Sequence, residues 1–580
     1  MPEPLEKLWP NQVDSRLIAD RKARKLAPRP PGMFFPLLRS LALLCLAALV
    51  GCSISCGDNQ TYLEWATENK VFLMGNGAEP RALDPHLVSS VGDSNIMSAL
   101  FEGLVSYHPT SDKLSAPGVA ERWESNEEYT EWTFHLRNNA KWSNGDPVTA
   151  HDFVYAYHRI LSPDLVSPYA SMLNFLVNAE EFNKGDITDF TQVGVKAPDD
   201  LTLICTLRQP TAFFPEVVKH TTWLPVHKGT IEKFGKMTDK FTLWQRPGNH
   251  VSNGPFKLKY WRINQVVKAE PNPYYWDRKT VKLKEIHFLP IVSEFTEERS
   301  FRDRQMHITY QMPPNMVQWY RDKDPKFLSI TDWAGVYFFR CNVGSGLDVM
   351  KNVKVRRALA LALDRQKITE NVTMGGEKPA YGFAPPMGTY DPPKMMEFNP
   401  EEARRLLAEA GYPDGKDFPE LVLKFNTLER HRSIAEAVQD MWKTHLNLDN
   451  MRLENQEWKV YQKTMEDMDY QLGRAAWIAD YLDPTSFLDM WRSGDTNNYT
   501  GWANPTYDKL LREAALQPSE EARNNKLREA ETVLLAELPI IPLYWYSRPV
   551  LKHPDLKNWD PLLLDKHPYK HLDVIASGVR

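Results

Sequence analysis

The sequence predicts an α/β protein of at least two domains, and three observations carry that prediction. The chain has 580 residues, more than one ordinary hydrophobic core holds. Its C-terminal half contains a strand–helix–strand run with the hydrophobic periods of a βαβ unit. Its N-terminal half joins a period-two strand to a capped helix through a tight turn, an α+β texture. Charged residues make up 25% and hydrophobic residues 42%, the balance of a globular protein. A net charge of -5 supplies no general basic field, so nucleic acid is not an expected partner.

Residues 1–32 are basic and proline-bearing and cannot build a core. They read either as a long n-region or as an extension ahead of a true start at Met33, and the second reading is preferred. From Met33 a single charge at Arg39 precedes an apolar run, Leu41 to Val50, too short for a permanent membrane helix. The run ends Leu49-Val50-Gly51-Cys52 and resembles the lipobox of bacterial lipoproteins. That assigns 33–51 to a signal peptide and Cys52 to lipidation. Ser53-Ile54-Ser55-Cys56 is a weaker second site, lacking the bulky apolar residue.

The segment EEYTEWTFHLRNNAKWSNGDPVTAHDFVYAYHRIL from Glu127 holds a strand with period-two alternation, then a turn at Asn144-Gly145-Asp146-Pro147. A helix then opens near Thr149, with Asp152 three residues on as a capping box. Cys205 and Cys341 sit in strand patterns as small buried hydrophobes. No CxxC, CxxH or HExxH spacing is present, and neither metal nor cofactor is expected. Farther on, Asn399 caps a helix with Pro400 in its first turn. Glu402 completes the box, and Gly411 ends it. Leu421–Thr427 is a buried strand. The helix after it carries Ile434, Val438, Met441 and Trp442 on one stripe, and MRLEN from Met451 is the second strand. Ligands in such sheets bind beyond the carboxyl ends of strands, which points to the loop carrying Glu429, Arg430 and His431.

Several strings occur in order along the chain: AEPRALDPHLVSSVGDSN from Ala78, LFEGLVSY from Leu100, WSNGDPVTAHDF from Trp142, GPFKLKYW from Gly254, NPYYWD from Asn272, VRRALALALDR from Val355, and RAAWIADYLDPTSFL from Arg474. Together they resemble the oligopeptide-binding proteins of bacterial ABC importers, extracellular solute-binding family five. The resemblance implies an α/β periplasmic binding protein-like fold of two lobes and three domains, with mixed sheets and a two-segment hinge. Domain I is expected at 57–101, 229–288 and 547–580, domain II at 102–228 and domain III at 289–546.

The implied function is capture of short peptides for a membrane importer. The partners are the importer's permease subunits and a membrane reached only through the lipid anchor. A monomer in the periplasm or on the cell surface is expected. In the family, the Asp of a WxAD string binds the peptide α-ammonium, and here that residue is Asp480. Spacing alone also allows a turn aspartate ahead of Asp483-Pro484. Ala476 and Ile478 are implied as backbone partners, with Trp477 and Trp458 lining pockets and Val91 near the peptide's start. Asn253, Gly254, Tyr169, Glu294, Asn426 and Tyr546 are further pocket positions by resemblance. Arg474 and His431 match positions that receive the peptide carboxylate, whereas Met465 and Leu347 stand where relatives carry basic residues. Dipeptides or murein peptides are alternative cargo. A hydrolase is the rival class, and no GxSxG, SxxK or HExxH motif supports it.

Overall fold

The computed structural model describes residues 60–579 apart from 89, 113, 496 and 518; the expected lipidation site Cys52 and the apolar run before it lie outside the described residues. Several elements form by purely local rules. Thr149 caps helix Ala150–Leu161, and the Asp152 carboxylate accepts the Thr149 N–H at 2.8 Å. Asn399 caps Pro400–Glu409 by accepting the Glu402 N–H at 3.1 Å, and Gly411 stands just past its end at φ 101°. The Glu402 carboxylate does not close a box. It takes Arg405 in a fork at 2.6 and 2.7 Å, because a charge-assisted bidentate pair outcompetes a neutral amide.

The βαβ unit is present. Strands Leu421–Asn426 and Met451–Gln456 pair in parallel on either side of helix Glu429–Leu446 in sequence, and Ile434, Val438 and Trp442 are buried. They end a six-stranded mixed sheet ordered Lys378–Pro379, Ile540–Leu551, Leu328–Cys341, Leu472–Ile478, Leu421–Asn426, Met451–Gln456. A second sheet is ordered Val71–Gly75, Glu285–Leu289, Val266–Pro271, Phe256–Arg262. A third, antiparallel, is ordered Ala120–Ser125, Glu131–Leu136, Thr202–Thr206, Val195–Asp199. Cys205 and Cys341 are buried free thiols at the strand positions expected.

Two large cores divide these sheets into two lobes. One core joins both four-stranded sheets and takes Val550, Leu556, Tyr569 and Val574 from the C-terminal end. The other surrounds the six-stranded sheet, from Ala334 to Tyr544. The long strands Leu328–Cys341 and Ile540–Leu551 cross between them. They pair from Leu328↔Leu551 to Asp332↔Ser547, and the register then shifts before Val336↔Trp545. The outer ends pack with Leu73, Met306 and Tyr320 in a small separate core. An irregularity of this kind bends a ribbon locally, and it falls where the chain passes from one lobe to the other.

One buried ion pair fixes the loop that carries Asp84 and His86. Arg159 on helix Ala150–Leu161 donates to both Asp84 oxygens at 3.0 and 2.7 Å, with both side chains fully buried. Its Nη1 also reaches His86 Nδ1 at 2.9 Å, and the His86 Nε2–H donates to Leu224 O at 3.2 Å. Burial drives the His86 pKa down to about 3, so this imidazole is neutral.

Candidate functional site

A cavity of about 570 Å³ lies between the lobes. The first lobe contributes Val91, Ser94, Tyr169, His220 and Lys566. The second contributes Arg474 through Asp480 together with Arg340, Tyr461 and Tyr499. Val91 reaches the wall because Ser90 caps helix Val91–Leu100 there, accepting the Asp93 N–H at 3.1 Å.

Strand Leu472–Ile478 forms the floor, and its edge explains why. On one side it pairs with Leu328–Cys341 from Cys341↔Leu472 to Gly335↔Ile478. On the other side its pairing with Leu421–Asn426 covers only Leu472 and Gly473, so Arg474 to Ile478 keep an edge without a strand partner among the described residues. Ala479 N–H donates to Ala334 O at 2.9 Å. Alternation along the strand then turns the backbone groups of Ala476 and Ile478 outward, toward the open edge. The Arg474 carbonyl on the same side accepts the Tyr461 hydroxyl.

At one end stands Asp480. Its N–H donates to Ser486 Oγ at 3.0 Å, and no hydrogen bond from the described residues reaches its carboxylate. The next turn is held instead by Asp483, which accepts from Thr485 N at 2.9 Å and Thr485 Oγ1 at 2.6 Å. His220 Nε2 is 4.0 Å from Asp480 Oδ1. Burial, reinforced by Lys566, drives the His220 pKa down to about 3, so this neighbour brings no charge at neutral pH. Lys566 donates to Ser94 Oγ at 2.7 Å, and burial with the Arg548 charge lowers its pKa to about 8 against the pull of Asp480. Burial pushes the Asp480 carboxyl up to about 7, with Lys566 pulling partly back. This end of the cavity therefore holds a desolvated carboxylate whose ionised form a cation would stabilise.

At the other end Arg474 crosses the Tyr337 ring at 4.8 Å. It donates to Asn426 Oδ1 at 3.4 Å and to the Tyr546 hydroxyl at 3.3 Å, so Asn426 and Tyr546 position Arg474. His431 lies below it, buried, with Nδ1 3.5 Å from the Tyr337 hydroxyl. Burial, with Arg474 and Arg430 adding, drives the His431 pKa down to about 2. A neutral, covered imidazole offers no charge to a carboxylate.

The remaining positions divide. Tyr169, Ala476, Trp477 and Ile478 line the cavity, with the Trp477 indole donating to Ser486 O at 2.6 Å. Trp458 opens helix Trp458–Glu466, and its side chain lies outside the described residues. Asn253 exchanges hydrogen bonds with the Glu102 backbone at 3.0 and 2.8 Å. A Cβ on Gly254 would stand 2.6 Å from the Leu100 carbonyl carbon. Those two residues clamp the end of helix Val91–Leu100 and do not line the cavity. Glu294 starts helix Glu294–Arg302, where burial raises its pKa against the Arg430 charge, also off the cavity wall. Sequence reasoning missed His220, Lys566 and Arg340, which arrive from three distant segments without a motif.

A pH profile follows from Asp480. If Asp480 receives a free α-ammonium, then below about pH 7 that cation must first displace the Asp480 proton, and affinity should fall up to about tenfold per pH unit. Above about pH 8 the peptide amine itself loses its proton. Calorimetry with a tripeptide should give an optimum between about pH 7 and 8. An acid limb that stays flat would show that Asp480 does not meet the cation.

Comparison with known proteins identifies the family. The model of bacterial extracellular solute-binding proteins, family 5 Middle, matches residues 115–499. The periplasmic oligopeptide-binding protein OppA of Salmonella typhimurium is 37% identical over 549 residues, covering 91% of this chain and 97% of its own. The solved structure of the Escherichia coli murein tripeptide binding protein MppA superposes with a TM-score of 0.77 at 34% identity, covering 87% of this chain and 98% of its own. Haemophilus influenzae OppA in complex with RPPGFSPFR gives 0.76 at 34%, covering 88% and 99%. With two cores joined by two crossing strands and a cavity between them, the chain belongs to the bacterial extracellular solute-binding proteins of family 5.

Proposed function

We propose that this protein captures short peptides between its lobes and hands them to the permease of an ABC importer, without catalysing a reaction on them. One observation carries the reading: a desolvated carboxylate, Asp480, stands at one end of an open strand edge whose other end carries Arg474. An extended peptide would add as a strand along Ala476 and Ile478, with its α-ammonium at Asp480 and its carboxylate toward Arg474. Arg474 to Ile478 spans roughly 13 Å of strand, and a tripeptide spans about 10 Å, so backbone pairing suits cargo of about three or four residues. Matches to both an oligopeptide binder and a murein tripeptide binder support peptide cargo. The protein would be exported and held at the membrane by lipid on Cys52, the residue that ends the apolar run.

Native mass spectrometry of protein extracted from membranes tests both parts. We expect bound masses of short peptides and a mature chain beginning at a lipid-modified Cys52. Masses of amine-free cargo would overturn the peptide reading, and an unmodified Cys52 would overturn the anchor.

A further inference from the structure

The cavity wall carries a second guanidinium that peptide capture at Asp480 and Arg474 leaves unused. Arg340 lies on strand Leu328–Cys341 in register with Gly473, one step beyond the Phe339↔Arg474 pair. It is therefore at the end of the floor away from Asp480. The residue is only 8% exposed yet lines the cavity. Its Nη2 donates to Asn497 O at 3.2 Å, and its guanidinium lies 4.9 Å above the Tyr499 ring. Its Nε has no hydrogen-bond partner among the described residues, and no carboxylate of those residues pairs with it.

A buried guanidinium without a counter-ion is costly unless an anion joins it. Arg474 leaves its own Nε unpartnered as well, so this end holds two cations, neither with a carboxylate partner among the described residues. Glu466 is the one carboxylate of the described residues lining this end, and it is exposed and not paired to either arginine. Capture of a peptide's terminal carboxylate by Arg474 would satisfy one cation and leave Arg340 facing the adjacent side-chain space.

We propose that Arg340 is a second carboxylate-receiving position, which makes peptides with an acidic side chain at or next to the C-terminus a preferred cargo class. This rests on the peptide reading above. It makes Arg340 a specificity-determining residue at a site distinct from the ammonium pocket. Arginine suits the task because its planar fork matches a carboxylate and it stays charged throughout the working pH range.

Calorimetry with Ala-Ala-Glu, Ala-Ala-Gln, Ala-Ala-Ala and Glu-Ala-Ala tests the assignment on the wild-type protein, and the same series on Arg340→Gln locates the effect. A hydrogen bond to a charged group contributes about 1.5–3 kcal/mol, so Ala-Ala-Glu should bind the wild type at least about tenfold tighter than Ala-Ala-Gln. Glu-Ala-Ala should gain nothing, since its side chain lies at the Asp480 end. In Arg340→Gln the Glu and Gln peptides should bind alike. If Ala-Ala-Ala binds but Glu brings no advantage, or if the advantage persists in Arg340→Gln, the assignment is overturned while the peptide reading stands. If no tripeptide binds the wild type, the peptide reading falls and this inference with it. Should the variant not fold, the wild-type comparison of the two glutamate positions still decides.

Discussion

Replacing Asp480 by Asn should weaken tripeptide binding by roughly thirty-fold to several-thousand-fold. The range converts about 2–5 kcal/mol, the usual effect of truncating one partner of a desolvated charge pair, much of it from stranding the other charge. Asn keeps the shape of the side chain and the backbone bond to Ser486 Oγ, so only the charge is removed. The measurement belongs near pH 8, where Asp480, with its pKa pushed up to about 7, is mostly ionised in the free protein. N-acetylation of the peptide removes the same pairing from the other side. The two changes should therefore fail to add, because residues sharing one interaction are coupled. Calorimetry on the four combinations reads the coupling directly. Full additivity, or normal binding by Asp480→Asn, would show that the cavity's carboxylate has another purpose. The acid limb of the pH profile should vanish in the same variant, a check that loss of folded protein would not reproduce.

What could be read from the sequence depends on how local each determinant is. The caps at Thr149 and Asn399 and the βαβ stripe Ile434–Val438–Trp442 depend on neighbours within a few residues, and the structure contains them. Glu402 departs because Arg405, three residues along the same helix, offers a stronger partner than the cap amide. Arg474, Ala476, Ile478 and Asp480 were legible because one continuous string, RAAWIAD, carries them and the resemblance. Their opposite wall was legible only at Val91 and Tyr169. His220 and Lys566 come to Asp480 only through packing between segments far apart in the chain, and no short string encodes that meeting. Asn253 and Gly254 show the converse. Their string is distinctive because a tight clamp on Leu100 and Glu102 tolerates few alternatives, and distinctiveness alone does not tell packing from binding. The sequence offers no hint of Arg340's role, since a lone arginine in a strand pattern reads as an edge charge until the fold buries it.

Arg159→Met should destabilise the first lobe by about 3–5 kcal/mol, the usual result of breaking a buried ion pair by removing one partner. Methionine fills much of the volume, so the loss comes chiefly from Asp84, which would remain at 0% exposure without its counter-charge. In the native protein burial pushes the Asp84 carboxyl up, yet Arg159 more than offsets this and holds it below the usual carboxylate range. A depressed folded-state pKa stabilises the fold above the unfolded value, near 3.9, and that contribution is lost as pH falls through the folded value. In Arg159→Met the sign reverses. The stranded carboxyl should take up a proton on folding, so the variant's deficit should shrink as pH falls toward 5. Adding Asp84→Asn should recover part of the loss, since the remaining buried group is then neutral. Thermal melts followed by tryptophan fluorescence read this, with Trp223 and Trp244 buried in the first lobe's core. Because the loop held by Asp84 and His86 leads into Ser90 and Val91, the single variant should also bind tripeptide more weakly, and the double variant should regain part of that binding. A deficit independent of pH and unrelieved by Asp84→Asn would mean that Arg159 acts through its bond to Met237 O rather than through the charge pair.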